Sequence, residues 1–548
     1  MKATVFDAIV VGSGAGGAAA AFGLSQAGAK VLVLEAGPSY DPLKDYKLSS
    51  DNWENEGFPY KPGSQVRYTV AALQALDKQH STLRSWNHKT KLVHSEKNRQ
   101  SQGYEHLQAV GGSTLRYTGE AHRLNPRAMK LASEHGAGAD WPITYPDLEP
   151  YYLSAEKLIG VAGASDDQIR PRSAPYPLPP HAMSYVSQIL GRGFQKLNLS
   201  WTANSLAALS QPYDGRPPCN QCGQCALGCS RLDKGTADLP FIAKALATGN
   251  CEVRSECRAT EIVADDKDTI TAVHYADRQG NQHKVTATTY LLAAGAVETP
   301  RLLLNSKSIN NDDGQIGKHF LETLAWNSSA LHPQNIASHR GHPSDAICWD
   351  FNAPDAINDV IGGCRFSLGV AESGLAGPAA YANRVVGGWG AGQKRKVREQ
   401  FGHVISVGGI GESLPHEKSF IDLDPEVKDH LGLPVARIHS HLDDMAINRI
   451  RFMATKSREL LQAAGAGQPF EEYGTYDLFH STHVFGGCRM GEDASSSVVN
   501  SDQQSHRYNN LYVVDASVFP STGGGESPSL TISALALRAV AKLLASRS

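Results

Sequence analysis

The first forty residues alternate between short apolar runs and a glycine-rich segment. Uninterrupted apolar runs over 8–11 and 31–34 predict two strands buried on both faces, as in a parallel sheet. Between them, the alanine-rich stretch 18–24 predicts a helix packed closely on that sheet. The order strand, glycine turn, helix, strand predicts an α/β fold.

The pattern changes further along the chain. Alternation of apolar and polar residues over 271–277 and 283–292 predicts antiparallel strands. The proline-rich stretch 165–220 predicts a boundary or a long irregular connection. Residues 320–475 predict a second lobe, which contains a long helix over 443–464.

Composition narrows the class of protein. The chain has 548 residues, enough for more than one core, and a formal net charge of -3 with no basic stripe, so nucleic acid is not an expected partner. No apolar run reaches the roughly 18 residues of a membrane span, so no transmembrane helix is predicted. The first residues do not resemble a secretory signal.

The first glycine segment has the pattern of a dinucleotide-binding turn. Gly12, Gly14 and Gly17 form G-x-G-x-x-G directly between the first strand and the first helix. In this motif one glycine permits the tight turn, one lets the backbone approach a pyrophosphate, and one lets the helix lie close to the strand. Glu35 ends the second strand, where a carboxylate can accept hydrogen bonds from a ribose.

A second glycine turn, at Ala294 and Gly295, follows a strand far downstream. A nicotinamide-binding domain would be contiguous, whereas this layout returns to the first domain after a long excursion. The interleaving therefore favours FAD over NAD.

Four of the nine cysteines fall within eleven residues, at Cys219, Cys222, Cys225 and Cys229. The spacing C-x2-C-x2-C-x3-C is that of a bacterial ferredoxin loop, although Ser230 stands where a proline usually follows. Zinc, disulfide bonds and a cysteine-rich structural turn are the alternatives. We favour an iron–sulfur cluster, because a cluster near a flavin gives electrons a route off the protein.

Four segments together resemble the glucose–methanol–choline (GMC) oxidoreductases, which are FAD enzymes that oxidise alcohols. The segments are VVGSGAGGAAAAFGLSQAGAKVLVLEAG, AVGGSTLRYTG, YLLAAGAVETPRLLL, and HVFGGCRMG with the later LYVVDASVFPSTGGGESPSLTISALALR. Within that family, the stretch QPYDGRPPC resembles the flavoprotein subunits of bacterial sugar and polyol dehydrogenases of the fructose, glucose and gluconate type.

The resemblance implies a Rossmann-like FAD-binding domain interleaved with an α+β substrate-binding domain built on an antiparallel sheet. We expect the following division of the chain: FAD-binding domain 1–45, 95–160, 220–318 and 480–548, with the cysteine-rich loop at 219–229; substrate-binding domain 46–94, 161–218 and 319–479.

The resemblance also implies the catalytic residues. His483 matches the histidine that faces the flavin and takes the hydroxyl proton, as its near-neutral pKa allows. Ser527 stands where the family usually has His or Asn, and serine can hydrogen-bond a substrate but cannot act as a base. We interpret Glu526 either as a partial substitute or as a solvated acid at a helix start, and His480 as structural.

Further positions are expected to contact FAD. The resemblance places the loop 111–119 beside the cofactor, and the last strand returns to it. The residues concerned are Gly111, Gly112, Ser113, Asp515 and Ala516. Some members of the family attach FAD through a histidine in that loop. This loop contains none, so we expect FAD to be held without a covalent bond.

The sugar dehydrogenase relatives hold a three-iron cluster on cysteines that correspond to Cys219, Cys225 and Cys229. Cys222 is then a spare thiol or the fourth ligand of a four-iron cluster, so the prediction is 3Fe-4S or 4Fe-4S. A similar cysteine stretch in long-chain alcohol oxidases supports the alternative of no cluster.

The expected function is oxidation of a CH–OH group in a sugar, a sugar derivative or a polyol. Electrons would pass through the cluster to a cytochrome c or quinone-linked acceptor, and a small subunit would accompany the chain. We expect a periplasmic or membrane-associated location through that partner, with a cytoplasmic one as the alternative. The other candidates are an oxygen-dependent alcohol oxidase and a non-catalytic flavoprotein subunit.

Overall fold

The structure is a computed structural model. It describes residues 6–46, 70–84, 99–101, 104, 106–370, 374–479 and 482–547. His480 lies outside the described residues, as does most of the predicted substrate-domain segment 46–94.

A five-stranded parallel sheet forms the first layer. Its strands, in spatial order, are Leu511–Val513, Ala287–Leu292, Phe6–Val11, Val31–Leu34 and Cys251–Arg254. Phe6–Val11 and Val31–Leu34 are almost wholly buried, as expected for strands covered on both faces. The sheet confirms the Rossmann-like fold.

Two helices cover one face of this sheet. The helix Ala15–Gln26 follows the first strand, and the last helix, Ser529–Ala545, packs against it. Glycine allows the close approach, since a Cβ on Gly16 would lie 3.1 Å from Ile532 Cγ2 of the last helix and one on Gly23 would lie 3.1 Å from Val540 Cγ1. This packing brings the start of the last helix to the glycine turn.

A three-stranded antiparallel sheet lies beside the first layer and corrects one prediction. It consists of Arg258–Ala264, Ile270–Ala276 and Gln282–Val285. The predicted antiparallel stretch 283–292 instead divides at residue 286, and Ala287–Leu292 pairs parallel with Phe6–Val11. The reason is burial: from Thr289 onward every residue of that strand is buried, which suits the centre of a parallel sheet.

The second layer is a six-stranded antiparallel sheet. Its strands, in spatial order, are Glu471–Gly474, Leu324–Leu331, Val404–Gly411, Cys364–Leu368, Ala346–Cys348 and Thr202–Ala203. The helix Asp444–Ala463, within one residue of its predicted bounds, packs against this sheet and against the helix Tyr185–Lys196. The α+β layer agrees with the expected fold class. The strands of both layers fall on the predicted sides of the domain boundaries, and the boundaries themselves stay a prediction.

Smaller elements join the two layers. Phe420–Lys428 and Pro434–Ser440 pair antiparallel, Val70–Leu73 joins Pro434–Ser440 in parallel, and Leu321–Glu322 pairs with Val484–Phe485. Within the described ranges, the remaining α-helices are Pro42–Asp45, Leu131–His135, Tyr145–Ile159, Ala243–Ala247, Glu298–Asn305, Pro378–Tyr381 and Gly390–Gln400. Of the helices described, none combines the length and apolar character needed to cross a membrane.

Candidate active site

A cavity of about 900 Å³ lies between the two layers. Its lining combines the glycine turn after the first strand, the loop 106–118, the second glycine turn and the facing strands of the antiparallel sheet. The volume falls within the range of ligand sites, about 300–1,000 Å³.

The three glycines of the first turn differ in what surrounds them. A Cβ on Gly12, whose φ is +97°, would lie 2.4 Å from the Ala293 carbonyl oxygen, and one on Gly17 would lie 2.0 Å from the Gly12 carbonyl oxygen. Gly14 lines the cavity and has open space where a Cβ would stand. Gly12 and Gly17 therefore fix the turn, while Gly14 leaves room for a ligand against the backbone.

Glu35 lines the cavity at the end of the second strand and is buried. Its carboxylate accepts bonds from Ser13 N at 3.0 Å, Ser13 Oγ at 2.6 Å and Gly37 N at 3.0 Å. Burial raises the pKa of Glu35, an effect that these hydrogen bonds oppose. The carboxylate is thus held in one position beside the cavity.

The loop 111–119 lies directly against the glycine turn. A Cβ on Gly112 would lie 2.9 Å from the Cα of Gly14, and Gly111 N donates to Ser13 Oγ at 3.2 Å. Gly112 and Ser113 line the cavity, whereas Gly111 contributes the bend, with φ +100°. Sequence reasoning missed His106, which lines the cavity just before this loop.

The second glycine turn and the last strand are tied together by one carboxylate. Asp515 Oδ2 accepts Gly295 N at 2.8 Å and Thr299 Oγ1 at 2.6 Å. Burial raises the pKa of Asp515. Ala294, Gly295, Asp515 and Ala516 all line the cavity.

The structure brings the two predicted catalytic residues to the same cavity. His483 is half-buried there, and its carbonyl oxygen accepts Thr323 N at 3.0 Å. Ser527 lines the cavity just before the last helix, and its Oγ donates to Glu120 Oε2 at 2.6 Å. The start of that helix directs its positive dipole end towards the cavity.

Glu120 is a buried cavity residue that sequence reasoning missed. Besides Ser527, its carboxylate accepts Asn204 Nδ2 at 3.1 Å and pairs with the buried guanidinium of Arg365. Burial disfavours the carboxylate charge, but Arg365, the nearby histidines including His483, and Ser527 outweigh it and lower the pKa of Glu120 to about 2. Glu120 is therefore an anion facing the His483 end of the cavity.

His122 completes this cluster. Its Nδ1 accepts Ser527 N at 3.0 Å, and its Nε2 lies 2.9 Å from Asn204 Oδ1, so the neutral Nε2–H tautomer satisfies both contacts. Burial lowers the pKa of His122 to about 3. No short motif signals this cluster, because Asn204, Arg365 and Ser527 lie far in sequence from Glu120 and its neighbour His122.

The interpretation of Glu526 as a solvated acid is wrong. Glu526 is buried, and its Oε1 accepts Arg170 Nη2 at 2.6 Å, Asn352 Nδ2 at 2.9 Å and Asn125 N at 3.1 Å. It is absent from the cavity lining. The buried Glu526–Arg170 ion pair, with the bonds from Asn352 and Asn125, therefore connects the start of the last helix to the segments that carry these residues.

The four clustered cysteines lie near one another, because Cys219, Cys222 and Cys229 all act electrostatically on Cys225. Cys222 is exposed, Cys225 Sγ lies 3.6 Å from His342 Nε2, and Cys229 Sγ donates to Asp233 Oδ1 at 3.2 Å. Across the described part of the chain, no three Cys, His, Asp or Glu side chains are placed to share a metal ion. Burial raises the pKa of Cys219 to about 12. The arrangement does not fit the predicted cluster.

Comparison with known proteins identifies the family. Two family models described as GMC oxidoreductase match residues 181–324 and 415–536, and a Rossmann-like NAD(P)-binding model matches 10–40. The chain belongs to the GMC oxidoreductases, which confirms that it is an enzyme of this FAD-dependent family.

Its relatives include both dehydrogenases and oxidases. The chain is 29% identical to 2-methyl-1,2-propanediol dehydrogenase of Mycolicibacterium austroafricanum, over 97% of this chain and 94% of that one. It is 27% identical to the fructose dehydrogenase large subunit of Gluconobacter japonicus, over 98% and 97%. Pyridoxine 4-oxidase from Mesorbium loti shares the fold, with a TM-score of 0.66 at 18% identity and coverage of 98% and 99%.

Proposed function

We propose that the protein is an FAD-dependent dehydrogenase that oxidises a CH–OH group of a sugar, a sugar derivative or a polyol. The observation that carries the proposal is the meeting of His483 and Ser527 at the cavity that the glycine turn enters. FAD fits there because Gly14 leaves its side of the turn open. When bound, FAD supplies the acceptor for the hydride of the alcohol carbon.

His483 is the base in this proposal. A histidine takes the hydroxyl proton at neutral pH and becomes an imidazolium, which needs a compensating charge. Glu120, which lines the same cavity and interacts electrostatically with His483, supplies that charge. Ser527 and Glu120 thus replace the usual second His or Asn of the family: Ser527 holds the substrate hydroxyl, and Glu120 stabilises the protonated His483.

The antiparallel sheet offers the substrate a polar wall. Asn327, Arg384, Glu472 and Tyr473 line this part of the cavity, and Glu472 is held by Arg458 at 2.8 Å. A substrate with several hydroxyls can exchange its water hydrogen bonds for bonds to these groups. The polar wall favours a sugar or polyol over a long-chain alcohol.

In this proposal the electrons pass to a cytochrome c or to a quinone-linked acceptor. A small partner subunit accompanies the chain, and the complex is periplasmic or membrane-associated. Support comes from a relative whose name specifies a large subunit. The spacing of the four cysteines supports a 3Fe-4S or 4Fe-4S cluster, whereas the described residues contain no group of three side chains placed to share a metal ion. We therefore derive no step through a cluster; iron and sulfide analysis with EPR of anaerobically purified protein tests it.

Anaerobic mixing with a panel of sugars, polyols and long-chain alcohols tests the function. We expect polyhydroxylated substrates to bleach the flavin absorbance and His483→Ala to slow bleaching by about 10²- to 10⁴-fold. His274→Ala is the matched control, because this histidine pairs with Glu261 on the surface of the small antiparallel sheet.

Three outcomes contradict the proposal. Rapid peroxide formation in air without need of another acceptor would favour the oxidase. Preference for long-chain alcohols would overturn the substrate class. Equal bleaching in both histidine variants would remove His483 from the chemistry.

A further inference from the structure

The cysteine loop forms a thin wall between the main cavity and the protein surface. Ala226 lines the cavity, whereas Gln224 and Cys222 line an open depression on the outside. Two residues of chain span at most about 7 Å, so only one turn of backbone separates the two spaces at this point. Electrons held in the cavity are close to solvent here.

A buried lysine fixes this wall against the glycine loop. Lys234 Nζ donates to the carbonyl oxygens of Cys225 at 2.6 Å, Leu115 at 3.1 Å and Tyr117 at 3.0 Å. Arg116, which lines the cavity, donates from Nε to the Ala226 carbonyl oxygen at 3.1 Å. The wall is therefore held in a constant position relative to the loop that faces FAD in the proposed function.

A basic helix adjoins the outer depression. His339, Arg340, Pro378 and Phe401 also line the depression, and the Phe401 and His339 rings stack with their centroids 4.8 Å apart. Phe401 directly follows the helix Gly390–Gln400, which has no buried residue. We call Trp389, this helix and the depression the basic face.

The basic face differs in charge from the rest of the molecule. Its helix carries Lys394, Arg395, Lys396 and Arg398 against the single acid Glu399, and Arg340 is exposed beside it. The whole chain, in contrast, has a formal net charge of -3. A concentrated positive patch on an acidic chain attracts a negatively charged partner.

Trp389, at the start of this helix, is 90% exposed. Tryptophan and arginine are enriched among the residues that dominate binding energy in protein interfaces. The helix is about 16 Å long, and a standard interface of about 800 Å² per partner is roughly 30 Å across. Trp389, the cations and the depression thus fit within one footprint.

We propose that the basic face docks an acidic electron-acceptor protein and that the cysteine wall is where electrons leave. This inference rests on the proposed dehydrogenase function. The two electrons removed from each alcohol pass singly to two oxidised acceptor molecules, and the two protons, one from the hydroxyl and one from the hydride, are released to solvent. The route needs no cluster, because the wall itself is one turn thick.

The test uses the holoenzyme reduced by dithionite and mixed with an acidic c-type cytochrome, so no alcohol is needed. In the double variant Lys394→Glu/Lys396→Glu we expect the second-order rate to fall about ten-fold or more at an ionic strength of about 0.01 M. The difference should shrink as salt increases. Trp389→Ala should weaken cytochrome binding measured by calorimetry.

The matched control is Lys267→Glu/Lys284→Glu, which reverses two exposed charges on the small antiparallel sheet. A small neutral quinone should oxidise all variants at the same rate, which shows that the flavin site is intact. Equal cytochrome rates in both double variants would overturn the proposal.

A membrane role for the basic face would also overturn it. In that case Lys394→Glu/Lys396→Glu would abolish binding to phosphatidylserine vesicles and leave the cytochrome rate unchanged. Failure of the proposed dehydrogenase function would be seen separately. In that case dithionite would reduce the flavin of the wild-type protein, but none of the alcohols would.

Discussion

The two ends of the cavity are built in different ways. At the glycine-turn end, backbone segments pack so closely that side chains are excluded, as at Gly12 against Ala293 and Gly112 against Gly14. At the His483 end, side chains from distant segments make the site: Glu120 meets Arg365 across 245 residues and Ser527 across 407. One end depends on backbone conformation within short motifs, the other on long-range side-chain contacts.

The largest effect should come from closing the glycine-turn end. Gly12→Ala places a methyl group 2.4 Å from the Ala293 carbonyl oxygen in a backbone of φ +97°, so we expect no FAD-loaded protein. Gly14→Ala meets nothing within 4 Å and should fold with its usual melting temperature, but its methyl group should weaken FAD binding. For both variants, the ratio of flavin to protein absorbance measures FAD content, and the melting temperature measures stability.

Gly28→Ala is the matched control for this pair. Gly28 also has a positive φ, +89°, but it has open space around it. We expect it to lose about 1 kcal/mol of folding free energy and to keep its FAD. Full flavin content in Gly12→Ala would show that the close contact between Gly12 and Ala293 is not needed for FAD binding.

This contrast explains what could be predicted from the sequence. The glycine turns, Glu35 and the first strands are local, so spacing alone predicts them. Glu120 was missed because its meaning depends on Arg365 and Ser527, which the fold brings to it. Glu526 was misinterpreted because nothing near it in sequence shows that Arg170 would cover it. The strand Ala287–Leu292 was predicted to be antiparallel because alternation in the preceding residues concealed its burial from Thr289 onward.

The second prediction tests whether the His483 end works as a unit. The pKa of Glu120 is about 2, so Glu120 is charged throughout the working pH range. A nearby anion raises the pKa of a histidine, so Glu120→Gln should lower the pKa of His483. The acid limb of the pH–rate profile should move down by about one unit, with a rate loss of about 10- to 100-fold.

Glu120→Asp is the conservative variant. Because it keeps the negative charge, its acid limb should lie between those of the wild type and Glu120→Gln. The double variant Glu120→Gln/Arg365→Met removes both buried charges and guards against a fold lost through an unpaired Arg365. An unchanged acid limb in folded Glu120→Gln would restrict Glu120 to a structural role.

The smallest effect should come from the residue whose identity departs most from the family. Ser527 contributes a neutral hydroxyl rather than a base, so Ser527→Ala should raise KM and lower kcat by no more than about ten-fold, as expected for one hydrogen bond. Its neighbour gives a sharp comparison. Glu526→Gln removes the buried partner of Arg170, which keeps the partly exposed Asp167 at 3.1 Å, and should cost about 1–3 kcal/mol of folding free energy while kcat stays unchanged. Steady-state kinetics on both variants should show a loss only in Ser527→Ala. Urea unfolding should show a loss of stability mainly in Glu526→Gln. If Ser527→Ala instead removed activity as completely as His483→Ala, the hydroxyl would take part in proton transfer, and the division of labour between Ser527, Glu120 and His483 would have to be redrawn.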